Sequence, residues 1–369
     1  MNTIHGYSVY IPNPLPPQVN WTAALINQLS QAERSITRLD QVGQSFPAPH
    51  VVVRPFVRKE AVLSSQIEGT QTSFQNLLRY EAKQLSFLES ESDAHEVQNY
   101  VKALDYGLER IKSLPISLRL IKEMHAILMR GVRGELLTPG EFRRSQNWIG
   151  RSGATLENAR FVPPSVDEMQ ECLSVLEKYI HEDSDLPHLI RVGLIHYQFE
   201  VIHPFLDGNG RIGRLLITLL LTTWRILTQP LLYISNFIEK NRTEYYDRLL
   251  AVSQKGQWEE WLMFFLDGVH QQAEEAVAKI DALQLLRTSY QTLFANDRNR
   301  VKLAEAVDYF ISTPISSIAQ AQENTTLGNF TMIQGYFDKL MHYGIVEEIT
   351  GGKRNRIYKA TEILRILEE

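Results

Sequence analysis

The sequence predicts a mainly α-helical protein, a helical bundle with small β elements. Apolar residues recur at helical spacing along most of the chain, as they do in residues 117–130. The uninterrupted apolar run 215–221 has the composition of a buried helix. Segments with strand character are short, as in 344–349 and 356–360. These observations favour the packing of helices, rather than of sheets, as the source of the core.

Composition and charge favour a cytoplasmic protein with no membrane partner. The chain has 369 residues, enough for two or three domains of roughly 150 residues each. Its formal net charge of −5 predicts no general attraction to nucleic acid or anionic membranes. The apolar runs are far shorter than the ~20 residues that span a bilayer, and the first residues do not resemble a signal peptide. The single cysteine, Cys172, excludes an internal disulfide.

The first region, residues 1–94, is predicted to be helical after an extended start. Prolines crowd residues 12–17, which predicts an extended segment. Helical spacing then predicts one helix over 21–41 and a second over 57–78. The second helix carries residues 64–69, which read Ser-Ser-Gln-Ile-Glu-Gly.

The second region, residues 95–294, contains the most regular apolar patterns. Helices are predicted over 117–130 and 189–200, and a long one from 258 to about 293. Another helix is predicted to begin after Ser165, because a serine followed by acidic residues is typical of a helix N-terminus. The helix over 189–200 leads directly into the most polar motif of the chain.

The third region, residues 295–369, predicts two helices, over 316–322 and 330–342, followed by a hairpin of two strands. A helix-turn-helix followed by a hairpin resembles a winged-helix domain. The region carries nine Lys or Arg against ten Asp or Glu, whereas nucleic-acid modules usually have a basic face. Lys353, Arg354 and Arg356 on the predicted wing could touch phosphate. DNA binding thus stays open but is not favoured.

Residues 203–214 read His-Pro-Phe-Leu-Asp-Gly-Asn-Gly-Arg-Ile-Gly-Arg, and this composition predicts a phosphate site. A glycine-rich turn that leads into a helix presents free backbone N–H groups to an anion. Arg211 and Arg214 are three residues apart and could bind two phosphates from one helix face. Asp207 could hold Mg²⁺ together with phosphate oxygens. His203 could act as a general base near neutral pH.

The motif is neither of the common nucleotide-binding loops. It lacks the Gly-Lys-Ser/Thr of a Walker loop and does not follow a predicted strand. It matches, without a departure, the motif His-Pro-Phe-x-x-Gly-Asn-Gly-Arg-x-x-Arg of the Fic family. The chain therefore resembles Fic proteins, mostly helical enzymes that transfer AMP from ATP to a hydroxyl of a protein. The resemblance implies a Tyr, Thr or Ser acceptor, ATP as substrate and Mg²⁺.

The resemblance also assigns a role to each polar position of the motif. His203 would deprotonate the target hydroxyl, and Asp207 would hold the Mg²⁺ that bridges the α- and β-phosphates. The remaining positions would bind the phosphates: Asn209, the backbone of Gly208 and Gly210, Arg211 at the β-phosphate and Arg214 at the γ-phosphate. Positioning and charge stabilisation of this kind are the main sources of rate in phosphoryl-type transfer.

Residues 64–69 resemble the inhibitory motif Ser/Thr-x-x-x-Glu-Gly/Asn of many Fic proteins, with Ser64, Glu68 and Gly69 at its fixed positions. The implied mechanism is a pairing of Glu68 with Arg214 that takes the place of the γ-phosphate. A carboxylate so placed could also position water and help to remove AMP from a modified target. The sequence leaves open whether Glu68 is a brake, a hydrolytic base or both.

Two further segments resemble parts of the family's site. Residues 147–163 resemble the β-hairpin flap, on which a target protein would dock by strand addition, with Ile149 and Gly150 near the nucleotide. Residues 241–250 resemble the lining of the adenine pocket, with Tyr245 as the first expected contact and Tyr246 as the second. Only one of two adjacent helical residues is expected to face the base.

The resemblance implies three partners: ATP, a target protein and, by self-modification, the chain itself. A homodimer is an additional expectation. The alternative function is a DNA-binding regulator in which the Fic-like core senses a nucleotide. It predicts operator binding through residues 330–358 that does not depend on His203.

Overall fold

A computed structural model describes residues 2–4, 7–83, 92–132, 137–150, 153–352 and 355–369. Positions 151–152 of the predicted flap and positions 353–354 of the predicted wing lie outside the described residues. The fold is mainly helical, as the sequence predicts. None of the described helices combines the length and the apolar composition needed to cross a membrane.

The N-terminal part joins a small hairpin to three helices. Its elements are β1 (Asn2–Ile4), β2 (Tyr7–Val9), α1 (Ala23–Ser45), α2 (Pro49–Ile67) and α3 (Phe74–Lys83). The predicted helix over 57–78 is wrong in its continuity, because α2 ends before Glu68 and α3 starts six residues later. The cause is Gly69, whose φ of 101° lies in the left-handed region that ends helices.

The middle part is an all-helical bundle apart from the flap. Its helices are α4 (Ser92–Arg110), α5 (Leu118–Leu128), α6 (Val166–His181), α7 (His188–Ile202), α8 (Asn209–Thr223), α9 (Ser235–Lys240), α10 (Arg242–Lys255) and α11 (Trp258–Leu293). Ser165 caps α6 as predicted, in a reciprocal capping box with Glu168. All residues of α7 from Leu189 onward are buried, so that α7 forms the centre of the bundle and packs against α8.

The C-terminal part has the predicted order of helices and hairpin, with additions. Its elements are α12 (Arg300–Ser312), β3 (Ile315–Ser317), α13 (Ile318–Asn324), α14 (Phe330–His342), β4 (Glu347–Glu348), β5 (Ile357–Lys359) and α15 (Thr361–Glu368). The predicted start of a helix at residue 316 is wrong, since residues 315–317 pair with β5 in an antiparallel sheet of order β3-β5-β4. Residues 330–342 form the predicted helix without change.

The C-terminal part packs directly on the two helices that flank Glu68. Helix α12 lies against α2, and β3 lies against α3. The Lys59 ammonium on α2 donates to the carbonyl oxygen of Leu367, 2.6 Å away, at the end of α15. The segment that carries the predicted inhibitory motif is therefore held between the helical bundle and the C-terminal part.

Candidate active site

The loop of residues 203–208 turns the chain sharply between α7 and α8. His203 ends α7 in the left-handed region with a φ of 49°, and Gly208 precedes α8 with a φ of 81°. The Asn209 amide closes this loop, because it accepts from the Phe205 N–H and donates to the Phe205 carbonyl, both at 2.8 Å. Its side chain therefore holds the loop closed, and the Asn209 backbone N–H lies at the start of α8, where a helix can bind an anion.

His203 is held as a neutral base. Its Nδ1 lies 3.2 Å from the carbonyl oxygen of Glu200, an acceptor that requires the proton on Nδ1 and leaves Nε2 unprotonated. Burial lowers the pKa of His203 to about 4, although the nearby Glu68 carboxylate opposes that shift. An imidazole in this state can accept a proton at neutral pH.

A second histidine, His125, packs against the loop of residues 203–208 and donates a hydrogen bond to it. Its ring stacks on Phe205 with the ring centroids 3.7 Å apart. Its Nδ1 accepts from the Gly140 N–H at 2.8 Å, so Nε2–H donates to the carbonyl of Asp207 at 3.0 Å. Burial lowers the pKa of His125 to about 4, in agreement with this neutral form. The sequence pattern indicated only an apolar helix face at this position.

Arg143 forms hydrogen bonds both to the loop of residues 203–208 and to the chain just beyond the predicted flap segment. It donates from Nε to the carbonyl of His203 at 3.1 Å, and its guanidinium also bonds the carbonyl of Pro164. Within the predicted flap, Ile149 and Phe161 form an antiparallel bridge, with N···O distances of 2.8 and 3.0 Å. A buried side chain thus links the carbonyl of His203 to the residue that follows the predicted flap.

A cavity of about 1060 Å³ lies between the loop, the flap and α10. Of the predicted site residues it brings together Glu68, Ile149, Gly150, His203, Gly210, Arg214, Tyr245 and Tyr246. Tyr245 is only 1% exposed and its hydroxyl donates to His196, whereas Tyr246 is less buried. Tyr246 therefore presents the more accessible ring to the cavity.

The other predicted phosphate ligands lie deeper or to one side of this cavity. Arg211 is 2% exposed and pairs with the buried Glu96. Its Nε has no hydrogen-bond partner among the described residues. Asp207 lies 3.5 Å from Arg211, is 43% exposed at its side chain and accepts from the Gly208 N–H at 2.6 Å.

Arg214 is occupied by the predicted inhibitory motif. Its Nη2 donates to Glu68 Oε1 at 2.7 Å and to the Ser64 carbonyl at 2.9 Å, while Nε donates to Ser64 Oγ at 2.8 Å. Arg214 is buried, and the Glu68 side chain is 31% exposed toward the cavity. Burial opposes ionisation of Glu68, but the Arg214 charge outweighs it and holds the pKa of Glu68 below its ordinary value.

Glu200 is a residue of this cavity that is absent from the site predicted from the sequence. This residue lines the cavity from α7 with only 9% of its surface exposed. One signal could have found it, because Glu200 is the one charged residue between Leu194 and Ile202 apart from His196. A lone carboxyl in an apolar helix three residues before a candidate base is unusual enough to mark a site.

Two protein-family models match the chain. The Fic/DOC family N-terminal model matches residues 26–109, and the Fic/DOC family model matches residues 115–221. The chain is 28% identical over 265 residues to "Protein adenylyltransferase Fic" of Culex quinquefasciatus, which covers 67% of this chain and 48% of the relative. The protein of the same name from Drosophila grimshawi is 28% identical over 257 residues, 67% of this chain and 49% of the relative. The chain spans about half the length of these curated relatives.

Solved structures share the fold. A Fic family protein from Desulfovibrio desulfuricans G20 superposes with a TM-score of 0.60 at 19% identity, covering 94% of this chain and 98% of that chain. Residues 134–508 of Fic-1 from C. elegans superpose with a TM-score of 0.52 at 19% identity, over 72% of this chain and 74% of that chain. With both family models matched in order, the chain belongs to the Fic/DOC family.

Proposed function

We propose that this protein transfers AMP from ATP to a hydroxyl group of a protein and is held inactive by its own Glu68. The observation that carries the proposal is the Glu68–Arg214 ion pair in the same cavity as the neutral base His203. The name of the sequence relatives, protein adenylyltransferase, supports the same reaction. The acceptor would be a Tyr, Thr or Ser residue, and self-modification would serve when no target is present.

The cavity fits a nucleotide in size and in chemistry. Small-molecule sites commonly measure ~300–1,000 Å³ and combine apolar walls with a few polar groups. Here Tyr246 and Leu249 would contact the base, with Tyr245 behind them. The N–H groups at the start of α8 and the buried Arg211 and Arg214 would bind the phosphates.

Mg²⁺ would be held at Asp207. Among the described residues no three His, Cys, Asp or Glu side chains converge on one point. A single exposed carboxylate next to a phosphate cradle is nevertheless a donor set that suits Mg²⁺, which keeps waters and takes phosphate oxygens as ligands. When bound, the ion would neutralise phosphate charge. One Asp207 oxygen accepts from the Gly208 N–H at 2.6 Å, and this fixed orientation supports the proposed role.

In the proposed reaction the protein supplies the base that takes up the proton of the acceptor, and pyrophosphate is the leaving group. The acceptor oxygen would form a bond to the α-phosphorus, and the bond from that phosphorus to the bridging oxygen would break, which releases pyrophosphate. The proton of the acceptor would pass to His203 Nε2. The flap hairpin around Ile149 and Phe161 would align the acceptor segment through backbone hydrogen bonds.

Glu68 would act as the brake because it uses the guanidinium that a γ-phosphate needs. Arg214 makes three hydrogen bonds to Ser64 and Glu68 in this arrangement. A Cβ atom at Gly210 would overlap Glu68 Oε1, so the Glu68 carboxylate lies directly against the phosphate cradle. ATP could enter fully only if Glu68 moved away.

Transfer of labelled AMP tests this proposal. The wild type, Glu68→Gly, and Glu68→Gly combined with His203→Ala are incubated with Mg²⁺ and ATP labelled at the α- or the γ-phosphate. We expect strong self-labelling of Glu68→Gly from the α-label alone and weak labelling of the wild type. Addition of His203→Ala should lower the labelling by at least ~10²-fold, which is the usual contribution of a general base.

Two results would contradict the proposal. Labelling from the γ-phosphate would indicate a kinase reaction rather than AMP transfer. No labelling of Glu68→Gly, in a protein that still binds ATP, would point to another donor or to a nucleotide sensor. Arg79→Ala, a substitution on α3 outside the cavity, serves as the matched control and should behave as the wild type does.

A further inference from the structure

Two glycines on α8 each make room for one carboxyl group. A Cβ atom at Gly210 would lie closer than 3.0 Å to Glu68 Oε1, and a Cβ at Gly213 would lie equally close to Glu200 Oε1. The two glycines are three residues apart and so share one face of the helix. Helix α8, which carries Arg214, therefore has two acidic side chains packed on it, one from the residue that follows α2 and one from α7.

The two carboxyl groups are in different states. Glu68 forms the ion pair with Arg214, whereas Oε1 of Glu200 is buried without a hydrogen-bond partner among the described residues. Burial raises the pKa of Glu200 to about 7, against the opposing effect of Arg214 and with a contribution from the Glu68 charge. The titratable or charged groups that face Glu200 are Arg214, Glu68, Tyr245, Tyr246 and, across the cavity, His203 and Arg242.

We propose that Glu200 is a second acidic partner of Arg214 that makes nucleotide binding depend on its protonation. While neutral, Glu200 leaves the guanidinium to Glu68 or to the terminal phosphate of the nucleotide. Once ionised, it holds Arg214 and opposes that phosphate. Glu200 is thus a specificity-determining residue for the triphosphate. The inference rests on the proposed function, because it takes ATP as the ligand of this cavity.

The sign of the pH effect follows from the charges. Bound phosphate adds negative charge beside Glu200, so the nucleotide complex favours the neutral carboxyl and raises its pKa. Binding then takes up a proton, and affinity falls as the pH rises through the pKa of the free protein. If the phosphate raises that pKa by about one unit, affinity changes about tenfold between the two limits. Removal of Glu68 lowers the pKa of Glu200, which moves the transition below that of the intact chain.

Calorimetric titration with Mg-ATP at a series of pH values tests this inference. The proteins are Glu68→Gly and Glu68→Gly combined with Glu200→Gln, in which the amide imitates the neutral carboxyl. ATP itself titrates in this range, so the result is the ratio of the two dissociation constants at each pH. We expect a ratio near one at about pH 5 and a ratio of about ten at pH 8.5. Proton uptake, from two buffers of different ionisation enthalpy, should be greater in the protein that keeps Glu200 than in the Glu200→Gln variant.

Each outcome bears on a separate claim. Equal pH dependence and equal proton uptake in the two proteins would overturn the role of Glu200 and leave the proposed function intact. Failure of Glu68→Gly to bind ATP would contradict the proposed function itself. Gly213→Ala is a structural control, because its Cβ should displace Glu200 and lower the free energy of unfolding in urea. Addition of Glu200→Ala to that variant should recover the lost free energy of unfolding.

Discussion

At the scale of single residues, Arg214 depends on the hydroxyl of Ser64. That hydroxyl accepts from Arg214 Nε at 2.8 Å in a fully buried setting. A hydrogen bond to a charged group contributes about 1.5–3 kcal/mol, and its loss leaves a buried donor unpaired. Ser64→Ala should therefore lower the free energy of unfolding by about that amount in urea denaturation.

The neighbouring serine provides a matched control for this prediction. Ser65 is equally buried on α2, but its hydroxyl has no hydrogen-bond partner among the described residues. Ser65→Ala should change the free energy of unfolding by less than about 0.5 kcal/mol or stabilise the fold, since it removes an unpaired polar group. If both variants lost the same free energy of unfolding, the hydrogen bond between Ser64 and Arg214 would make no measurable contribution to stability.

Individual site residues could be predicted from the local sequence only where they lie close together along the chain. Residues 203–214 hold the candidate base, the carboxylate and both arginines, so their spacing alone predicts phosphate binding. The partners of those groups come from distant helices, since Glu96 is 115 positions from Arg211 and Glu68 is 146 from Arg214. Glu68 was identified through the family resemblance, and Glu96 and Glu200 were missed.

At the scale of elements, α2 and α3 are joined across the turn that holds Glu68. Arg58 donates to both oxygens of Glu81, at 3.1 and 2.8 Å, and both side chains are nearly inaccessible to solvent. Glu81→Ala would leave the Arg58 charge buried without its carboxylate. We expect a loss of about 3–5 kcal/mol in the free energy of unfolding, the usual consequence of breaking a buried pair.

A double substitution separates the charge from the packing. Arg58→Met combined with Glu81→Leu removes both charges while keeping apolar bulk, and such replacements are often neutral or stabilising. This variant should recover most of the stability that Glu81→Ala loses in the same urea experiment. If the double variant were as unstable as the single one, packing rather than an unpaired charge would be the cause.

The break between α2 and α3 shows why element boundaries were harder to predict than element types. Helical spacing continues through residues 57–78, and it predicts one helix. Gly69 ends α2 because it adopts a φ of 101°, and glycine just after a helix is a common stop signal. Strand β3 was missed for a different reason. Its pairing with β5 joins residues forty or more positions apart, which local spacing does not encode.

At the scale of the whole molecule, the C-terminal part has the helices and hairpin that the sequence predicts, but its residues 295–369 carry no excess of Lys and Arg over Asp and Glu. The N-terminal end of α14 exposes Phe330 and Met332, and the same helix exposes Asp338. A helix that reads DNA would be expected to present cations near the phosphates. The exposed apolar side chains do not favour the alternative of a DNA-binding regulator.

Fluorescence anisotropy with labelled duplex DNA tests that alternative directly. At physiological salt we expect no binding tighter than about 10⁻⁴ M, the weak end of non-specific protein–DNA affinity. His203→Ala should behave identically, since the enzyme site takes no part. Salt-dependent binding in the micromolar range, lost with Arg356→Ala, would contradict the prediction and support operator recognition.

The central claim is that Glu68 occupies the place of the γ-phosphate at Arg214, and the preference for ATP over ADP measures it most directly. Calorimetric titration of the wild type should give nearly equal dissociation constants for the two nucleotides, because Arg214 is already paired. Glu68→Gly should bind ATP more tightly than ADP by about 1.5–3 kcal/mol, roughly ten- to a hundredfold, from the freed charged hydrogen bonds. The same preference in both proteins would contradict the claim.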